Sequence, residues 1–457
     1  MIQSWREFSP VLRRGALTGA ATGFLFGFDT AVIAGSTALL RQQFHLTPRT
    51  LGWTVSVALW GTVLGSLLCG KLGQRWGGRT VLRLLAVFYL VSALGCAIAP
   101  GWGWLMASRL LGGIAIGGSS VVGPVYVAEL APSRWRGRLV GLFQVNVVIG
   151  VLMAYLSNYL LERWNPGLNL WRWQLGAAFL PAFVLLLLLI RIPESPRWLS
   201  TRGRYDEAAS VLRSLGSLEE SKQLCAMAAS NEEDTQGERP RLLTRVHQRP
   251  LLIAISLGAF NQLSGINAIL YYLNDIFSVA GFNRLSSSSL AVVVGTMNLI
   301  STGVAVSVID RVGRRRLLII GSIGMSLSLG VVAWLFALQK GKESLAALLG
   351  VYMIFFAISQ GAVIWVYLSE IFPNAVRARG QSVGTTTHWV MNAIIAGLFP
   401  LLAVHSMAVP FAFFGSMMVL QLIFVVAFLP ETRGLTLEEI AKLMMRQQGR
   451  QPGSPQA

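Results

Sequence analysis

Acid is scarce in this sequence. Twenty Asp and Glu stand against 38 Lys and Arg in 457 residues, and the four charged types together make up 13% of the chain. A soluble domain of this size carries about 25% charged residues, so a water-facing globular protein is excluded. Cysteine is nearly absent: Cys69, Cys96 and Cys225 show no paired spacing, which leaves no disulfide framework. No metal-ligand spacing, nucleophile–base set or nucleotide motif occurs, so neither an enzyme nor a bound metal or cofactor is expected. No Asn-X-Ser/Thr sequon is found, and no cleavable signal peptide is evident, because the first apolar stretch is too long and leads straight into others.

What the chain does have is apolar length. It is 54% hydrophobic with a mean hydropathy of +0.58, and its charges cluster between apolar runs of the length that spans a hydrocarbon core. These runs predict membrane spans at 14–40, 51–72, 79–99, 103–128, 138–162 and 170–191. A second set follows at 249–280, 287–309, 315–338, 344–370, 378–403 and 408–429. The expected fold is an all-α integral membrane protein with twelve transmembrane helices. It divides into a six-helix bundle at 1–191, a polar linker with short cytoplasmic helices at 192–248, a second bundle at 249–429 and a tail at 430–457. Within the linker, Tyr205–Leu215 has helical apolar spacing, and Ser230–Pro240 reads as flexible.

The basic residues are unevenly placed. Only Arg41, Arg49, Arg163, Arg172, Arg284, Lys340 and Lys342 fall on one side, Arg109 lies within a span, and the rest lie on the other side. That asymmetry predicts cytoplasmic termini and gives the surplus of +18 to membrane orientation instead of nucleic acid. Tryptophans suit interfacial belts: Trp102, Trp104, Trp164, Trp171 and Trp173 outside, Trp5, Trp76, Trp135 and Trp198 inside.

The two halves repeat each other. Arg75-Trp76-Gly77 returns as Arg311-Val312-Gly313. Glu129-Leu-Ala-Pro132 with Arg136-Gly137-Arg138 returns as Glu370-Ile-Phe-Pro373 with Arg377-Ala-Arg379-Gly380, and Pro193-Glu194-Ser195 returns as Pro430-Glu431-Thr432. Near-constant offsets mark an internal duplication. Parallel six-helix halves resemble the major facilitator architecture, whose substrate site lies at the half–half interface near the midplane. Five motifs sharpen the resemblance: Phe26-Gly27-Phe28-Asp29-Thr30, Arg109-Leu-Leu-Gly112-Gly113, Pro193-Glu-Ser-Pro-Arg-Trp-Leu199, Asn261-Gln262-Leu-Ser-Gly-Ile-Asn267 and Pro430-Glu-Thr-Arg-Gly434. Together, in order across the whole chain, they are similar to those of the sugar porter family.

That resemblance implies a secondary transporter importing a monosaccharide, hexose or pentose, with a proton by alternating access. The protein is then expected as a monomer in a bilayer, a bacterial inner membrane. A facilitative uniporter is the alternative, followed by a carrier for a polyol or organic acid and a transporter-like sugar receptor. Such receptors usually signal through long cytoplasmic extensions, and little chain follows Pro430.

A sugar presents hydroxyls and no charge, so its site needs amides that both donate and accept and aromatic faces for its C–H side. Gln144, Asn261, Gln262 and Asn267 supply amides, and by resemblance Asn298 adds another. Gln262 and Asn267 are about 140° apart on a straight helix and share a wall only if the helix breaks, which Gly265 permits. By resemblance, Trp365, Trp389 and Phe26 match the family's site aromatics. His388 stands where Asn or Gln is common, Asn261 where Gln is usual, and Val151 where the xylose symporter has Gln. In this reading His388 is a neutral donor or a source of pH dependence. Intramembrane amides also serve as interhelical glue, and Tyr271 and Tyr272 read equally as an outer gate or as interfacial anchors.

Two charge sets remain. Asp29 is an acid deep in the first span, and a charge there costs about 2.5–3.5 kcal/mol even on lenient scales. Arg109 is the only base within a span. A change in their separation would change the proton affinity of Asp29, which is what coupling requires; a static structural pair is the other reading. A cytoplasmic latch is expected from Arg75, Glu129, Arg136, Arg138 and Glu194 in one half and Arg311, Glu370, Arg377, Arg379 and Glu431 in the other. The alternative makes them orientation anchors. Gln74 and Gly78 replace the usual Asp and Arg of the first-half motif, which predicts a weaker network there. Gly112-Gly113 and Gly117-Gly118 lack the Lys of a phosphate loop and read as close helix packing.

Overall fold

The computed structural model describes residues 8–132, 135–164, 167, 169–216, 244, 247–373, 376–433 and 439–440. All regular structure among them is helical. The first half holds α1 (Pro10–Val32), α2 (Thr37–Phe44), α3 (Pro48–Trp76), α4 (Gly78–Ala97), α5 (Trp102–Leu130), α6 (Arg136–Trp164), α7 (Leu170–Gly176), α8 (Phe179–Ile190), α9 (Pro196–Thr201) and α10 (Tyr205–Leu215). The second holds α11 (Gln248–Leu263), α12 (Ile266–Tyr271), α13 (Leu273–Val279), α14 (Arg284–Val312), α15 (Arg314–Leu338), α16 (Leu345–Phe356), a π-turn at Ala357–Gly361, α17 (Ala362–Glu370), α18 (Arg377–Leu402) and α19 (Ala408–Phe428). Eleven helical stretches among the described residues are long and apolar enough to cross a membrane. The twelfth expected span is α18, a 26-residue helix whose polar run from Gln381 to Asn392 keeps it out of that group.

The chain divides into two compact units, Met1–Leu46 with Val57–Thr235, and Thr47–Ser56 with Gln236–Ala457. In the first, α1 packs along α6 and α5, and α4 packs along α5 and α8; α9 and α10 pack on α5 and α1. In the second, α11 packs along α18, and α15 along α16 and α19. The α1–α6, α4–α5 and α4–α8 pairings of the first unit thus have counterparts in α11–α18, α15–α16 and α15–α19 of the second, so the duplication read from the motifs extends to this part of the packing. Without a hydrophobic drive between helices in lipid, small residues bring backbones together. Gly113 and Gly117 of α5 do this against Ala58 and Thr62 of α3.

The repeat is closest at the arginine-rich ends. Gly77 (φ +90°) precedes α4 and Gly313 (φ +101°) precedes α15. Glu194 accepts from the backbone N–H of Arg79 at 3.0 Å. Glu431 accepts from those of Arg314 and Arg315 at 2.9 and 3.1 Å. In both units a carboxylate from a distant loop therefore satisfies a helix start, where unpaired N–H groups and the dipole favour an anion. Tyr126 donates to the Pro193 carbonyl at 2.7 Å and Tyr367 to the Pro430 carbonyl at 2.9 Å, holding each glutamate loop in register.

Not every tryptophan is interfacial. Trp76, Trp104, Trp164 and Trp173 are exposed, but Trp171 is wholly buried, packed on Phe44 and covered by the Arg172 guanidinium. The belt assignment of Trp171 is corrected accordingly: α7 turns it inward. Trp5 and the Ser230–Pro240 stretch lie outside the described residues.

Candidate functional site

In the first unit α1 carries Asp29 and α5 carries Arg109. Arg109 Nη1 donates to Asp29 Oδ1 at 3.1 Å, and the two residues are 6% and 3% exposed. A side chain on Gly112 would collide with the Ser92 hydroxyl and would begin 3.6 Å, an ordinary contact distance, from Asp29 Oδ2. Asp29 Oδ2 has no hydrogen-bond partner among the described residues. One carboxylate oxygen is therefore held by the guanidinium. Burial of both charges is costly and is offset only by their close attraction, and moving either partner would leave a buried, unpaired charge. Glu162 near the end of α6 is a second buried acid of this unit.

In the second unit a wall of uncharged groups forms around a broken helix. α11 ends at Leu263 and α12 begins at Ile266, with Gly265 between them at φ +84°. L-residues avoid that conformation, and the Phe414 ring lies against Gly265 where a side chain would go. The break brings Gln262 and Asn267 together: Asn267 Nδ2 donates to Gln262 Oε1 at 3.0 Å. Gln262 Nε2 donates to Asn261 Oδ1 at 3.0 Å and lies 3.2 Å from both ring nitrogens of His388. A neutral imidazole accepts at one nitrogen and keeps a donor at the other, so His388 extends the wall. Its ring lies 5.1 Å from that of Trp365 and 4.9 Å from that of Trp389. Trp365 is 36% exposed and Trp389 buried. The result is a cluster of amides, one imidazole and aromatic faces without a formal charge, a chemistry suited to hydroxyls.

The remaining sequence candidates divide. Phe26 and Gln144 belong to the first unit; the Phe26 ring lies 6.3 Å from that of Phe143, and Gln144 is half-buried. Asn298 on α14 is buried but joins no hydrogen bond among the described residues. Tyr271 and Tyr272 are buried, not interfacial. Asn392 Nδ2 donates to the Tyr271 hydroxyl at 3.1 Å, and Tyr272 donates to the Ala396 carbonyl at 3.0 Å, so both tyrosines tie α12 to α18. Asn392, Gln360 and Gln421 went unread in the sequence. Gln360 and Gln421 are each a lone amide in an apolar stretch, and that rarity was the available signal; Asn392 ends the polar run of α18.

At the arginine-rich ends Glu194 has Arg79, at 3.8 Å, as a guanidinium partner, because Arg79 sits on the first turn of the helix that Glu194 caps. Arg75 is exposed, and its carbonyl accepts from Arg202 at 2.7 Å. Glu370 pairs with Arg314 at 3.0 Å and accepts from Thr432 at 2.6 Å, while Arg377 donates to the Phe372 carbonyl at 3.2 Å. Arg379 is exposed and Glu129 half-buried. The side chains of Arg136, Arg138 and Arg311 lie outside the described residues. The pairs described here close within each unit. The first-half ion pair is the longer of the two, 3.8 Å for Arg79–Glu194 against 3.0 Å for Arg314–Glu370.

A family model described as "Sugar (and other) transporter" matches residues 15–444. The chain is 37% identical over 430 residues to the probable metabolite transport protein CsbC of Bacillus subtilis, covering 92% of each chain. It is 33% identical to the D-xylose-proton symporter of Escherichia coli, covering 93% of this chain and 94% of that one. Among solved structures it resembles an inward-open conformation of the xylose transporter XylE from E. coli, with a TM-score of 0.82 and 32% identity. That match covers 94% of this chain and 98% of the other.

Proposed function

We propose that this chain, which belongs to the sugar porter family of the major facilitator superfamily, carries a monosaccharide and a proton across a bacterial inner membrane together by alternating access. The observation that carries the proton half is the buried Asp29–Arg109 pair, with Asp29 Oδ1 bound and Oδ2 open to protonation. A passive carrier of neutral sugar has no need of a buried carboxylate, and one survives at that depth only for a reason. Similarity to a D-xylose-proton symporter supports the same reading.

The sugar half rests on Gln262, Asn267 and His388, with Trp365 as the exposed aromatic face. Asn261, Asn298 and Trp389 complete the second unit's contribution, and Phe26 and Gln144 are the first unit's sugar contacts. Tyr271 and Tyr272 gate the outer mouth through their bonds to α18. The latch glutamates Glu129, Glu194, Glu370 and Glu431 pair with the arginines of the set when the cytoplasmic side is shut, and the pairs break as it opens. Both termini are cytoplasmic, and the working unit is a monomer.

Proton coupling makes accumulation possible, since each charge crossing 100 mV gains about 2.3 kcal/mol, roughly fiftyfold in concentration. Purified protein in sealed vesicles tests it. Inward sugar flux is expected to alkalinise the outer medium and to respond to an imposed pH gradient. Sugar flux without proton movement, indifferent to the gradient, would leave a facilitative carrier. Competition among glucose, galactose, xylose, fructose and inositol in the same vesicles identifies the substrate.

A further inference from the structure

Gln360 and Gln421 are completely buried in the second unit, and neither has a task in the transport scheme above. Gln360 sits in the π-turn between α16 and α17, a local widening found mostly at functional positions. Its side-chain nitrogen donates to Gln421 Oε1 on α19. Its backbone oxygen and Oε1 each lie 3.4 Å from Asn261 Nδ2. Asn261 Oδ1 is in turn taken by Gln262. Donor and acceptor of the Asn261 amide are thus both engaged inside the wall. The capacity that remains for a polyhydroxylated ligand belongs to Asn267 and the His388 ring, with Gln262 holding both.

We propose that the buried Gln360–Gln421 pair is a positioning element for sugar selectivity: it withdraws the Asn261 amide into the wall and leaves Gln262, Asn267 and His388 to read the sugar. The inference rests on the sugar-site reading above and deepens it. Two amides between apolar helices are tolerated there through their mutual hydrogen bond, and Gln421 Nε2 has no partner among the described residues. An apolar pair would fill the same space without a hydrogen bond. Helix-to-helix glue is the competing role, and it predicts an effect on stability alone.

The test uses the full chain in vesicles, with equilibrium exchange of glucose, galactose and xylose. Replacing both partners together, Gln360→Leu with Gln421→Leu, leaves no orphaned amide at that pair and is close to neutral for stability. It releases Asn261. The expected result is a KM shift of about fivefold for at least one sugar, the worth of one neutral hydrogen bond, with a changed order of preference. Maximal exchange should stay within about twofold, the pattern of altered binding without altered transport chemistry. Adding Asn261→Ala to the pair should cancel the shift, because the released amide causes it. If the double leucine variant fails to fold, Gln421→Met, which removes the acceptor at similar volume, is read the same way. Lowered thermal stability with every KM and the preference order unchanged overturns the proposal in favour of glue. Gln262→Ala separates the two failures. A KM rise of about tenfold there with silent pair variants sinks only the positioning role. No change with Gln262→Ala sinks the sugar site itself.

Discussion

The Glu431 carboxylate occupies the space that a side chain on Gly313 would need: Oε2 lies 2.7 Å from where that Cβ would sit. Glu194 stands against Gly77 in the same way at 2.6 Å. Gly313→Ala therefore combines a left-handed backbone, about 1–2 kcal/mol, with eviction of a helix-capping carboxylate. Glu431→Gln keeps the shape and loses only the charge-assisted part. Both variants should unfold at lower temperature in detergent, Gly313→Ala more so. Equal melting of Gly313→Ala and the parent would contradict the cap.

Asp29→Asn should abolish accumulation and preserve sugar exchange, read as counterflow against net uptake. It also leaves Arg109 buried and unpaired, and breaking such a pair costs about 3–5 kcal/mol. Adding Arg109→Gln should recover stability while accumulation stays lost. Full accumulation by Asp29→Asn would remove the carboxylate from coupling.

Asn267→Ala removes the donor to Gln262 Oε1 and should weaken sugar binding by about tenfold, as loss of a directed polar contact does. Trp365 supplies the measurement. Its ring is part-exposed beside His388, so sugar should alter its fluorescence, and Trp365→Phe should erase that signal. Titration of Asn267→Ala with unchanged midpoint would exclude Asn267.

Gly265→Ala places a side chain in the left-handed region and into the Phe414 ring. The expected outcome is loss of affinity similar to that of Asn267→Ala, since the break that joins Gln262 to Asn267 is disturbed. Ser264→Ala, one residue away and at an ordinary helical φ of −64°, should do less. The paired affinities of the two variants check this.

Much of this was legible from residues in a row. Apolar length gave the spans, α18 among them despite its polar run, and the break at Gly265 followed from the spacing of two amides. What escaped reading depends on meeting across the fold. Arg79 meets Glu194 because Gly77 ends the preceding helix and aims the next one. Trp171 looks interfacial until α7 folds it against Phe44. Gln360 gains a partner only because the π-turn and α19 bring it to Gln421.

The polar run of α18 bears on how the protein is made. Thr385, Thr386, Thr387, His388 and Asn392 would make a poor client for the insertion machinery, which partitions nascent segments by their average affinity for lipid. Its groove partner α11 is synthesised well before it and can already be in the bilayer when it emerges. The residues that suit this helix to its ligand thus oblige it to enter the membrane as a latecomer beside an earlier one.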